Sequence, residues 1–152
     1  MKLTPTKINN YLLLKLPSAW FCGVRLKEIS TEKSRVEVKF RWINQNPFKS
    51  MYFAVQAMAA ELSTGALVMQ AIQEKPEKIS MLVASMNAEF LKKATGRISF
   101  TCEDGNKLHE TLKKVVENKA EGRLCELKSI GKNEAGEVVA IFNFNWTLKA
   151  KY

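Results

Sequence analysis

Residues 50–73 carry a single charged side chain, Glu61, in a run so rich in Ala, Met, Leu and Val that apolar groups would surround a helix on every side. A helix of that kind has to be buried all round, inside a protein or inside a bilayer, and this run is long enough for either. A carboxylate near its centre, with Gln56, Ser63, Thr64 and Gln70 beside it, would be costly in lipid. The flanking segments alternate apolar and polar residues and need a partner that covers one face only. The expectation is a helix wrapped by a curved sheet, with no membrane span.

The rest of the chain supplies that sheet. Thr4 before Pro5 marks a helix start and Pro17 a stop. Residues 24–29 read as a weak strand, and residues 35–42 put Val36, Val38, Phe40 and Trp42 on one face against Glu37, Lys39 and Arg41 on the other. Asn44, Asn46 and Pro47 then make a turn. Residues 81–91 and 97–102 read as a hairpin joined at Thr95-Gly96 and ended at Asp104-Gly105, and Leu108, Leu112 and Val115 or Val116 space an amphipathic surface helix through Lys119. Residues 122–130 and 138–148 pair across a turn at 133–136, where Phe142, Phe144, Trp146 and Leu148 alternate with Asn143, Asn145 and Thr147. One antiparallel sheet with its helices on one face is an α+β layer architecture.

The 152 residues suit a single domain, 1–152. A net charge of +9 invites a nucleic-acid reading, but the basic residues are scattered in sequence, often alternate with Glu, and accompany no phosphate-loop or nucleic-acid motif. No nucleic-acid partner is expected. Cys22, Cys102 and Cys125 have no paired spacing, which points to reduced thiols rather than a disulfide framework or a zinc site. With no leader-like start after Met1, the expectation is a cytoplasmic protein holding no metal.

Glu61 is the first candidate for chemistry. A carboxylate alone on an apolar helix is desolvated, which raises its pKa toward the range of a base that works near neutrality; the alternative is a structural ion pair. Thr64, one turn on, would hold a water beside it or bond back to its own helix. The amides near Tyr52 and Phe53, at the helix start, are polarised for an oxyanion. Asn46 is a turn residue by its place before Pro47. His109, the lone histidine, reads as a solvated surface residue, and the methionines, Met58 among them, as core filler or an adaptable pocket lining. Lys92, Lys93 and Arg97 flank a turn that is either a solvated hairpin or a resting place for phosphates.

Asn46-Pro47-Phe48, then Ala59-Ala60-Glu61 and Gly65, then the segment 87–96 (NAEFLKKATG) form a pattern spanning most of the chain. It resembles the hotdog-fold thioesterase-like proteins, in particular a branch that carries a domain-of-unknown-function label. The resemblance implies a curved sheet around a central helix, a homodimer or a tetramer with sites between protomers, and hydrolysis of an acyl-CoA or related thioester without a cofactor. It places Glu61 where such enzymes carry their base or nucleophile, with Asn46 and Thr64 beside it. Tyr52, Phe53, Met58, Gly65, Lys92, Lys93 and Arg97 become the expected substrate contacts. Many relatives have His-Gly-Gly where this chain has Tyr52-Phe53-Ala54, so two rings narrow the helix start. A noncatalytic protein that binds acyl chains or acyl-CoA is the alternative.

Overall fold

The computed structural model describes residues 2–151. Helix α1 (Pro5–Lys15) starts where the sequence predicts, with the Thr4 hydroxyl accepting from the Lys7 amide at 3.3 Å. Pro17 opens the short α2 (Pro17–Phe21). Strands β1 (Arg25–Ile29) and β2 (Ser34–Lys39) precede the long α3 (Phe53–Gln73). After it come β3 (Ile79–Phe90), β4 (Arg97–Cys102), α4 (Gly105–Glu117), β5 (Arg123–Lys132) and β6 (Val138–Ala150). The strands form one antiparallel sheet in the order β1-β2-β4-β5-β6-β3. It wraps α3, whose Ala59, Ala60, Leu62, Ala66, Leu67 and Val68 are buried against it.

Three of the expectations change. The strand at 35–42 ends at Lys39, and Trp42 lies in a short 3-10 turn (Trp42–Asn44) at 83% exposure rather than on the inner face. The cause is Asn44. Its buried carboxamide donates to the carbonyls of Cys22 (3.0 Å) and Lys39 (2.9 Å) and accepts from the Arg41 amide (2.8 Å), folding the chain away from the sheet. Secondly, β3 and β4 are not a hairpin: β3 pairs with β6, and β4 lies between β2 and β5. Thirdly, α3 is not covered on every side, since Phe53 is 57% exposed and Met58, Glu61 and Met69 are half-buried.

Buried serines fix the helix to the sheet. Ser34 donates to the Ser63 carbonyl, and the Ser63 hydroxyl meets Ser129 at 2.7 Å and the Ala60 carbonyl at 2.7 Å. Gly131 exists because a side chain there would run into the Phe100 ring at 2.5 Å. Helix α1 lies across the open side of the curved sheet. Asn9 pairs with both backbone groups of Leu26 on edge strand β1 (2.9 and 3.0 Å), and Leu3 N donates to Gln70 of α3 at 3.0 Å. At the opposite edge, β3 is hydrogen-bonded on one side only, with Leu82 (69%), Met86 (43%) and Phe90 (49%) exposed.

Candidate functional site

Two clefts open along α3. The first, of about 630 Å³, lies at the helix start between the 46–52 loop and the end of β3. Asn46 builds that loop: its Oδ1 accepts from the amides of Phe48 (2.9 Å) and Ser50 (3.2 Å), and its Nδ2 donates to Ser50 Oγ (3.0 Å) and the Met51 carbonyl (3.3 Å). The turn takes Lys49 into the left-handed region, at φ 57°. Met51 N is bound to the Ala94 carbonyl at 2.8 Å, tying the loop to the segment after β3. No side chain caps α3, and the Phe53 and Ala54 amides have no acceptor among the described residues. Such amides at a helix start carry partial positive charge and suit an anionic oxygen.

Aromatic rings form the wall of this cleft. Tyr52 meets Phe53 edge-on at 4.9 Å, Phe53 meets Phe90 at 6.3 Å, and Phe90 meets the buried Phe142 at 5.6 Å. Gln56, 4% exposed, lines the cleft floor with its Oε1 unpaired and its Nε2 donating weakly to the Met51 carbonyl at 3.4 Å. Nothing in the sequence singles it out beyond its being a polar residue in an apolar run. Lys92 and Lys93 border the same cleft, the first ion-paired to Glu137 and the second donating to the Phe48 carbonyl at 3.3 Å.

The second cleft, of about 380 Å³, holds Glu61. Its walls are apolar: Ile8 and Tyr11 of α1, Leu62 and Met69 of α3, Met81 of β3 and Trp146 of β6. Burial alone pushes the Glu61 carboxyl above its ordinary value, and among the described residues it has neither an ion-pair nor a hydrogen-bond partner. The structural ion pair is therefore absent among the described residues. Gly65 opens the space beside it, since a Cβ there would lie 3.3 Å from both Glu61 Oε1 and the Trp146 ring. Thr64 is buried, donating to the Glu61 carbonyl at 2.9 Å and accepting from Trp146 Nε1 at 3.0 Å. Its hydroxyl fixes Trp146 against the helix. Trp146 and α1 are site components that the sequence marked only as a strand residue and a helix.

The expected site residues do not converge in one protomer. Asn46, Tyr52, Phe53, Lys92 and Lys93 share the first cleft and Glu61 and Gly65 the second, eight residues further along α3 from Phe53, which is about 12 Å of helix. Met58 lines neither, and Arg97 lies in a separate basic cleft, ion-paired to Glu37 at 3.3 Å. His109 is half-buried, with Nε2 3.3 Å from the Thr31 carbonyl, and anchors α4 to the β1–β2 turn. The free cysteines Cys102 and Cys125 are buried, and burial pushes the Cys102 thiol up to about 12. No helix among the described residues is long and apolar enough to cross a membrane.

One family model matches the chain, over residues 6–148. The chain belongs to the DUF4442 family, a domain of unknown function. No curated protein matches this DUF4442 chain. Solved structures do. A Pseudomonas aeruginosa protein of unknown function, described as a probable thioesterase, aligns with a TM-score of 0.81 at 21% identity over 99% of both chains. A Chlorobaculum tepidum protein of unknown function aligns at 0.83 and 16% identity, again over 99% of both. A thioesterase from Haemophilus influenzae aligns at 0.75 and 11% identity, over 99% of this chain and 93% of its own. At these identities the likeness establishes the hotdog fold of this family member.

Proposed function

We propose that this protein hydrolyses acyl thioesters, acyl-CoA in the first instance, as a homodimer in which Glu61 activates the attacking water. The observation that carries this reading is the Glu61 carboxylate, unpaired and with its proton affinity raised by burial, opening beside Gly65 into an apolar cleft that suits an acyl chain. Glu61 takes a proton as the water oxygen adds to the thioester carbonyl. The carbonyl oxygen becomes an oxyanion, the C–S bond then breaks, and the proton passes to the departing sulfur, leaving a carboxylic acid and a thiol. Direct attack by the carboxylate, giving an anhydride that water then opens, uses the same geometry.

The oxyanion donors are the free amides of Phe53 and Ala54, which within one protomer stand too far along α3 to serve Glu61. A two-fold pairing of β3 edges supplies a solution: the partner's α3 start and Asn46 loop would face Glu61 of the first protomer. Support comes from β3 itself, twelve residues with one bare edge and exposed Leu82, Met86 and Phe90, because a bare edge of that length invites pairing. Three unpaired cysteines fit a reducing cytoplasm.

Tyr52 and Phe53, packed edge-on at 4.9 Å in the wall of the first cleft, favour a second reading: a protein that binds the acyl carrier without turning it over. Release of free thiol from short, medium, long and aryl acyl-CoAs, with wild type and Glu61→Ala side by side, separates the two. Hydrolysis predicts turnover that falls by about a hundredfold or more in the variant. Saturable binding with no turnover on any substrate establishes the carrier-binding reading instead.

A further inference from the structure

The basic residues that are scattered in sequence are gathered by the fold. Arg25 and Lys27 of β1, Lys39 at the end of β2, Arg41 after it and Arg97 at the start of β4 line one cleft of about 250 Å³ on the outer side of the sheet. The carboxylate among them, Glu37, is already paired with Arg35 and with Arg97. Arg25, Lys27, Lys39 and Arg41 have no ion-pair partner among the described residues.

Several details hold like charges together where a fold selected only for stability would part them. Lys39 and Arg97 stand directly opposite in the β2–β4 register, an arrangement that costs stability. Arg25 is opposite Glu37 in the β1–β2 register yet does not pair with it. Its guanidinium instead stacks 3.4 Å over the Trp20 ring and donates to the Trp20 and Val24 carbonyls at 2.8 Å, which fixes one side of the fork and leaves the other free. Arg41 lies over Gly23, where a side chain would come within 2.5 Å of its guanidinium and where φ is +90°. Burial first, and then the neighbouring Arg41 charge, lower the proton affinity of the Arg25 guanidinium.

We propose that this cleft binds clustered phosphoryl groups, the diphosphate end of a small carrier molecule. Guanidinium forks match phosphate oxygens in pairs, and two held side by side suit two neighbouring phosphates. The volume is below the range of a pocket that encloses a whole drug-sized ligand, so it fits the phosphates and leaves the rest of the molecule outside. The cleft adjoins the substrate side of the protein: Phe40 N is bonded to the Gly96 carbonyl at 2.7 Å, and the 93–97 segment runs from Lys93 in the first cleft to Arg97 in this one. Assigning the phosphates to coenzyme A rests on the thioesterase reading; the anion site rests on the cleft alone.

Calorimetric titration at low ionic strength tests both parts separately, with inorganic pyrophosphate, coenzyme A and phosphate-free pantetheine as titrants. Wild type is expected to bind pyrophosphate at one site per protomer, and Arg41→Gln and Arg25→Gln each to weaken it about tenfold, the effect of losing one charged hydrogen-bonding partner. Folding of each variant is checked by its thermal transition, and Lys113→Gln, on α4, is the charge-matched control. Coenzyme A is expected to weaken in parallel with pyrophosphate, and pantetheine not to respond to either substitution. Pyrophosphate that fails to saturate, or that binds both variants and the control alike, overturns the site. Coenzyme A indifferent to both substitutions while pyrophosphate responds overturns the carrier as the source of the phosphates.

Discussion

Glu61 is charged at a cost, because among the described residues no cation and no donor reaches its carboxylate. Burial raises its pKa above the ordinary 4.5, so the folded chain holds that proton more tightly than the unfolded chain does. The stability this group contributes is full below the unfolded value and is lost as pH rises through the raised folded value. Glu61→Gln should therefore unfold at higher urea than wild type near neutral pH, with the gap closing below about pH 4. A gap that does not change with pH, or one of opposite sign, would mean that the carboxylate has a partner in solution. The lone charge on an apolar run made this residue legible in the sequence. Its company was legible only in part: Gly65 came with the pattern around Glu61, but Trp146 and Ile8 lie on other elements, and only the fold brings their side chains to the same cleft.

Among the elements, periodicity announced what is decided locally and missed what is decided by a single buried polar group. Phe142, Phe144, Trp146 and Leu148 alternate along β6 and are all buried, because a half-buried strand has a period of two. The same alternation failed at Trp42, where Asn44 captures the backbone. Asn44→Ala would leave two carbonyls and an amide unpaired beside the site loop, and chemical denaturation should show a loss of about 3 kcal/mol. A loss within the noise of surface substitutions would show that the loop is held by other contacts. Strand partners were equally hidden, since β3 is near β4 in sequence but pairs with β6, Phe90 lying opposite Ala140 and Ile79 opposite Ala150. Both strands have suitable faces, and loop closure over such a distance leaves no local mark.

At the scale of the whole molecule the proposed hydrolysis needs two protomers, because the proposed oxyanion donors and the proposed base lie on different parts of the same helix. Met86 is exposed on β3 and lines neither cleft, so replacing it with lysine should leave the protomer folded and the site walls intact. Size-exclusion with light scattering should then report a monomer, and thioester turnover should fall with it; a monomer that keeps full activity would place the complete site within one chain. The central claim, that Glu61 is the base, is tested most directly by kcat/KM for acyl-CoA hydrolysis against pH, with wild type and Glu61→Gln compared. The account predicts a wild-type rate that rises with pH through the elevated Glu61 value, and a variant slower by about 10² to 10⁴ without that rise. A variant that keeps the wild-type rate or the same rise would contradict it.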